Sequence, residues 1–242
     1  MITWMQRKKF CSWIVPVLIL LAGCDFEKSQ PVSFNYTTGN TSLRYLRLSW
    51  NDLSASLEIT RPDRNDAKNQ ICIPLTPPDS TEFKIKYFHC IAGDCCSEER
   101  YNTKIPGGIV VRNAEIEIVF PKNMAAVDSI KSICKSSKSS FVQLKPVLEN
   151  GKNVAADART KAQRRAIVTY KDGSMGIIET EKHNTPYGFA EDLKKFDVVN
   201  AVMTSTGIYD EGWYYYATVP VAIGRLKSRT KDQENWLVLK SN

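Results

Sequence analysis

The 242-residue chain holds only two histidines, His89 and His183, and it has no HExxH pair, no GxSxG elbow and no glycine-rich phosphate loop. These absences exclude the common zinc hydrolases, most histidine-dependent nucleophilic hydrolases and P-loop chemistry. What remains is carboxylates, arginines and aromatic rings, so any acid–base step falls to Asp or Glu. No cofactor is expected. No internal repeat and no regular βαβ alternation occur, which excludes solenoids and doubly wound parallel sheets. The one long apolar run, residues 10–22, is too short for a helix that needs about 20 residues to cross a bilayer.

That run has a specific setting. Arg7-Lys8-Lys9 precede it and Gly23-Cys24 follow. A charged start, a short apolar stretch and a small-residue processing site make an export signal. Leu21-Ala22-Gly23-Cys24 resembles a bacterial lipobox, in which the chain is cut before the cysteine and the cysteine receives lipid. More than one acyl chain on Cys24 gives stable attachment. The expected location is therefore the bacterial cell envelope, lipid-anchored and periplasmic or surface-facing, with the membrane as a partner through Cys24. Residues 1–23 carry three positive charges and no negative ones, so the net charge of +7 falls to +4 without them. No interleaved run of basic and aromatic residues survives, which argues against nucleic acid as a partner. Residues 24–42, the lipidated cysteine followed by a stretch of Ser, Gln, Pro, Asn, Thr and Gly, read as a tether, and residues 43–242 as one domain.

Of seven cysteines, Cys11 leaves with the signal and Cys24 takes the lipid, which leaves Cys72, Cys90, Cys95, Cys96 and Cys134. Five permits at most two disulfides and leaves a thiol over. His89-Cys90 with Cys95-Cys96 offers soft ligands without a standard zinc spacing, so disulfides or buried thiols are expected there rather than a metal.

Past the tether, short strands dominate. Phe83–Tyr87 and Glu115–Phe120 alternate apolar with charged residues, and Ile109–Val111 with Ala114–Phe120 predicts a hairpin turning at Arg112-Asn113. One helix is predicted from near Asn123, with Val127, Ile130 and Cys134 on a face, and a second from Thr185-Pro186, with Phe189, Leu193 and Phe196 on its stripe. Arg165–Tyr170 and Met175–Glu179 flank a tight turn over Lys171–Ser174, and Val198–Met203 adds an apolar strand. The pattern predicts an α+β fold: a mainly antiparallel β-sheet sandwich with two or more flanking helices in a single domain.

The segment from Thr204 to Tyr216 leaves a strand, turns at Gly207 and Gly212 with Asp210 and Glu211 between them, and enters the run Trp213-Tyr214-Tyr215-Tyr216. Carboxylates beside exposed rings suit a sugar site, with acids for hydrogen bonds and proton transfer and rings for the apolar faces of pyranoses. The same residues equally describe a solvated Asp-Glu loop and a strand whose alternate rings pack two faces of a core.

Phe141–Gly151, then Gln163–Val168 with Asp172-Gly173, Phe189–Leu193, Asn200-Ala201, Gly207–Tyr214 and Asn235–Leu239 occur in an order that resembles the phosphodiester glycosidase family, in the short lipoprotein form found in gut Bacteroidetes. The resemblance spans residues 140–242. It implies a glycosidase acting on a sugar-1-phosphate diester, or a protein that binds one, with a carbohydrate or glycan phosphodiester as ligand. Arg165 would then fork onto the phosphate, Gln143 would bind a polar sugar or phosphate oxygen, and Gly207 and Gly212 would let backbone approach the ligand, beside Trp213 and Tyr214. Family members carry an aspartate where this chain has Ser205, which leaves Asp210 and Glu211 as candidate catalytic carboxylates. The asparagine-glycine-rich motif of the family's first half is not visible; Cys72–Pro78 stands in its neighbourhood. The alternative is a non-catalytic glycan-binding or envelope-assembly lipoprotein that uses Tyr209–Tyr216 as a contact surface.

Overall fold

The computed structural model describes residues 31–39, 44–76, 85–156, 158–206, 211–224 and 235–242. In chain order, β1 (Val32–Thr38), β2 (Arg44–Trp50), β3 (Leu53–Glu58), β4 (Asn69–Pro74), β5 (His89–Ile91), β6 (Asp94–Cys95), β7 (Gly107–Arg112) and β8 (Glu115–Val119) precede helix α1 (Met124–Ser137). The strands β9 (Ser140–Glu149), β10 (Lys152–Asn153), β11 (Arg165–Tyr170) and β12 (Met175–Thr180) follow. Then come helix α2 (Pro186–Lys195), β13 (Val198–Met203), β14 (Gly212–Tyr216), β15 (Val219–Ile223) and β16 (Trp236–Ser241). No helix among the described residues is long and apolar enough to cross a membrane.

The strands form two sheets. The larger runs β1-β2-β12-β11-β13-β9-β5-β6, with the β7–β8 hairpin also on β9; the smaller runs β15-β14-β4-β16-β3. Every strand pairing among the described residues is antiparallel. The α+β class, the antiparallel sheets and the two flanking helices follow the sequence pattern.

Because strand side chains alternate between faces, each central strand serves two cores. Ile167 and Ile177 point between the sheets, where they meet Ile71, Ile73, Leu237 and Leu239 of the smaller sheet. Ala166, Val168 and Ile178 point the other way, under Phe189 and Leu193 of α2. Val127 and Cys134 of α1 close a third cluster over Val110 and Phe141. The outward face of the smaller sheet buries Cys72, Trp213, Tyr215, Trp236 and Val238.

The helix starts are chemically explicit. Asn123 caps α1 by accepting from the Ala126 N–H at 2.9 Å, and Thr185 caps α2 by accepting from Gly188 at 3.0 Å, with Pro186 at the first helical position. The hairpin between β7 and β8 turns one residue later than predicted, at Asn113 and Ala114, both with positive φ. That left-handed pair has the twist a two-residue hairpin needs.

Three further expectations meet a different arrangement. Val32–Thr38, inside the stretch read as a tether, is a strand paired along its length with β2. Its polar and aromatic outer face hid it, since an edge strand need bury little. Of the strand expected at Phe83–Tyr87, residues 83 and 84 lie outside the described residues, and Ile85 makes only an isolated bridge. The turn expected over Lys171–Ser174 is a three-residue loop: Tyr170 donates to the Ser174 carbonyl at 2.8 Å and Gly173 takes φ +86°.

Candidate functional site

That loop sets the register of everything around Arg165. With one residue fewer in the turn, Arg165 stands directly across from Glu179 rather than from Thr180. Alternation turns both toward the space between the sheets, at the end of their strands. Arg165 is fully buried and Glu179 nearly so. Arg165 Nε donates to Glu179 Oε2 at 2.6 Å, and Nη2 pairs with the same oxygen. The other carboxylate oxygen accepts from Gln163 Nε2 and from the Gly224 N–H, each at 3.1 Å.

Ser205 joins this group from the end of β13. Its carbonyl accepts from Arg165 Nη1 at 3.4 Å and its N–H donates to the Leu75 carbonyl at 2.7 Å, which ties β13 to the end of β4. The hydroxyls of Ser205 and Thr204 are buried and have no hydrogen-bond partner among the described residues, a configuration that costs free energy unless a ligand or water completes it. Thr204 lines a recess of about 170 Å³ with Leu75, Thr76, Tyr87, Gln143 and Lys145.

Gln143 is at that recess, but its amide is occupied. Its Oε1 accepts from the Asn102 N–H at 3.1 Å, and its Nε2 donates to the carbonyls of Asn102 and Ile105 at 2.8 and 3.2 Å. It holds the 102–105 loop against β9.

The remaining candidates stand elsewhere. Glu211 is paired with Arg61 Nη2 at 2.6 Å, with Arg64 at 3.9 Å. The Arg61 guanidinium in turn lies 5.7 Å from the Trp213 ring centroid. Trp213 is wholly buried against Trp236 on the outward face of the smaller sheet. Tyr214 points the opposite way, into the core between the sheets, and only Tyr216 of the aromatic run is exposed, at 51%. Phe34 on β1 packs against both Tyr214 and Tyr216. Gly212 has a packing reason to be glycine: a Cβ there would lie 2.8 Å from the Cys72 carbonyl oxygen. Asp210 and Gly207 lie outside the described residues, as does Cys24.

The cysteines divide. Cys90 and Cys95 form a disulfide; Cys72 and Cys134 are buried thiols and Cys96 a half-buried one that accepts from the His89 N–H. Burial pushes the Cys134 thiol up to about 11, and the Cys96 thiol upward as well. Among the described residues no group of three or more His, Cys, Asp and Glu is placed to hold a metal ion.

The structure thus brings together Arg165, Ser205 and, through the adjoining recess, Gln143, and adds Glu179, Gln163 and Thr204. Glu179 had a signal in the sequence: counted outward from Gly173 as the last residue of a three-residue loop, it falls opposite Arg165.

The arrangement is an antiparallel two-sheet α+β fold with a buried arginine–glutamate pair at the ends of its strands. The fold is similar to the catalytic domain of zebrafish N-acetylglucosamine-1-phosphodiester α-N-acetylglucosaminidase, in a form auto-inhibited by its pro-peptide. The TM-score is 0.59 at 10% identity, over 87% of this chain and 82% of that one. It is also similar to a hypothetical protein from Synechocystis, with a TM-score of 0.56 at 9% identity over 88% of this chain and 62% of that one. No family model matches the chain, and no curated protein sequence does.

Proposed function

We propose that this protein is an envelope lipoprotein, anchored through Cys24, whose phosphodiester-glycosidase-like domain binds a sugar-1-phosphate diester of a glycan. The observation that carries the reading is the gathering of Arg165, Ser205 and Thr204 at one end of a fold similar to a phosphodiester glycosidase, with two buried hydroxyls there that have no partner among the described residues. Binding is favoured over hydrolysis by the same geometry. Glu179 is the carboxylate described in that cluster, and both its oxygens are already engaged. The serine at the family's aspartate position supplies a hydrogen bond but cannot stabilise an oxocarbenium ion as a carboxylate does. The anchor is supported by the basic start, the short apolar run and the Leu21–Cys24 pattern.

The test is to titrate the full chain in detergent with N-acetylglucosamine-1-phosphodiesters and to assay the same mixtures for released sugar. Saturable binding without release is expected. Ser205→Ala, which removes a hydroxyl that makes no hydrogen bond within the described fold, should weaken binding and leave the melting temperature unchanged. Release of N-acetylglucosamine would make the protein an enzyme, and absence of binding across the panel would remove the reading. Replacing Cys24 by Ala should free the protein from membranes.

A further inference from the structure

At the opposite end of β11 from Arg165, a cleft of about 700 Å³ opens on the α2 face of the larger sheet. This volume lies in the range of small-molecule sites. Its walls come from four places: Thr37 and Thr38 on β1, Arg47 and Ser49 on β2, Tyr170, Lys171, Asp172 and Ser174 around the hairpin loop, and Lys195 to Asp197 at the end of α2.

Arg47 is the unusual residue in it. Its guanidinium carbon lies 5.1 Å from the Tyr170 ring centroid and 5.5 Å from that of Phe196. Among the described residues it has no carboxylate partner, and its Nε is buried without a hydrogen bond. Aromatic faces satisfy the guanidinium's charge but leave its in-plane N–H donors unspent. Tyr170 adds a second unspent group. The residue is 6% exposed, and its hydroxyl is buried without a partner among the described residues. The ring lies over Gly176, where any Cβ would come within 2.9 Å of the hydroxyl and of the ring edge. The glycine therefore makes the place in which the phenol sits.

The charges sort by partner. Lys171 is paired with Asp197 at 2.7 Å, and Asp172 accepts from the Ser174 N–H and hydroxyl at 2.9 and 2.6 Å. Arg47 and Lys195 are left as cations with no ion-pair partner among the described residues. An arginine fork, a lysine and a phenol set several donors at one cleft, and a tetrahedral oxyanion spreads its acceptors over three or more oxygens to meet them. The surrounding Thr37, Thr38, Ser49 and Ser174 hydroxyls and the two aspartates are groups that hydrogen-bond a polyol.

We propose that this cleft is a binding site for a tetrahedral oxyanion, phosphate or sulfate, carried on a small polyol, with Arg47 and Tyr170 holding the anion. The site is separate from the Arg165 cluster and does not depend on its function.

The probe is glucose 6-phosphate, titrated calorimetrically into the full chain, with glucose 6-sulfate, inorganic phosphate and glucose as parallel arms. Saturable binding of glucose 6-phosphate or glucose 6-sulfate is expected, tighter than inorganic phosphate and far tighter than glucose; the stronger of the two esters identifies the anion. Arg47→Gln should weaken it about tenfold or more, and Arg47→Lys nearly as much, because the lysine keeps charge but loses the fork. Tyr170→Phe, which removes one oxygen that has no partner among the described residues, gives a reading free of folding defects and should weaken binding several-fold. Failure of both esters to saturate at millimolar concentration, equal binding of glucose, or wild-type affinity in folded Arg47→Gln or Tyr170→Phe overturns the proposal.

Discussion

Arg165 and Glu179 are cross-strand neighbours whose side chains meet in a buried ion pair, with Arg165 Nε 2.6 Å from Glu179 Oε2. The pair sits where β11 and β12 leave the core, and its outer oxygen also holds Gly224. One interaction therefore fastens the hairpin of the larger sheet to the chain that leaves β15 of the smaller one. A guanidinium so placed serves the fold first, and any ligand role for Arg165 is exercised through the Nη1 arm that reaches Ser205.

The pair gives an asymmetric mutational result. Removing one partner of a buried pair leaves the other charge uncompensated and costs about 3–5 kcal/mol, whereas replacing both by apolar groups costs far less. Arg165→Met and Glu179→Leu should each lower the urea midpoint sharply, and the double variant should recover most of the loss. Additive losses in the cycle would mean that the two side chains are not coupled.

Gly212→Ala separates packing from ligand approach. The added methyl would meet the Cys72 carbonyl oxygen at 2.8 Å and the Ile73 Cγ2 at 3.1 Å. Overpacking of this kind costs about 1–3 kcal/mol. The loss should be measurable in urea unfolding with no ligand present. An unchanged midpoint would mean that β14 and β4 can separate freely.

Local patterns were the legible part of this chain. The caps at Asn123 and Thr185, the apolar stripes behind them and the 165–180 hairpin are each contained within a few residues. The order of the sheets is not, because β2 pairs with β12 and β4 with β16 across more than a hundred residues. The aromatic run misled for a physical reason: on a strand buried on both faces, Trp213 and Tyr214 are both core residues, and composition cannot tell this from an exposed platform. Glu179 escaped notice because its meaning depended on a one-residue difference in loop length. The Arg47 cleft was invisible because it joins β1, β2, the β11–β12 loop and α2, none of which is locally marked as a binding element.

The thiols should report the fold. In alkylation mapped by mass spectrometry, Cys96 should react in the native protein, while Cys72 and Cys134 should react only after unfolding, since both are wholly out of solvent. The pH dependence has a definite sign for Cys134. Its folded pKa, about 11, lies above the ordinary 9.0, so the folded state holds the proton more tightly. Its contribution to stability is intact below about 9 and is lost as pH rises toward 11. Cys134→Ala should flatten that alkaline fall relative to the parent. An identical pH profile in the two proteins would show that Cys134 ionises without cost.

Tyr45 and Asp192 join β2 to α2. The Tyr45 hydroxyl donates to the Asp192 carboxyl and accepts from Asn184 Nδ2 at 3.1 Å, and Tyr45 and Asp192 are completely buried. The tyrosine ring also packs on Phe189 and Phe196 of the helix stripe and its end. Tyr45→Phe keeps the ring contacts and deletes one oxygen, which removes the hydroxyl's buried hydrogen bonds to Asp192 and Asn184. Losing a buried hydrogen bond costs about 1–3 kcal/mol, so a large effect is expected from a small change. Hydrogen exchange would locate the defect: protection should fall in α2 and the adjacent end of β2 and persist in the smaller sheet. A uniform loss of protection would mean that α2 and the two sheets unfold as one unit.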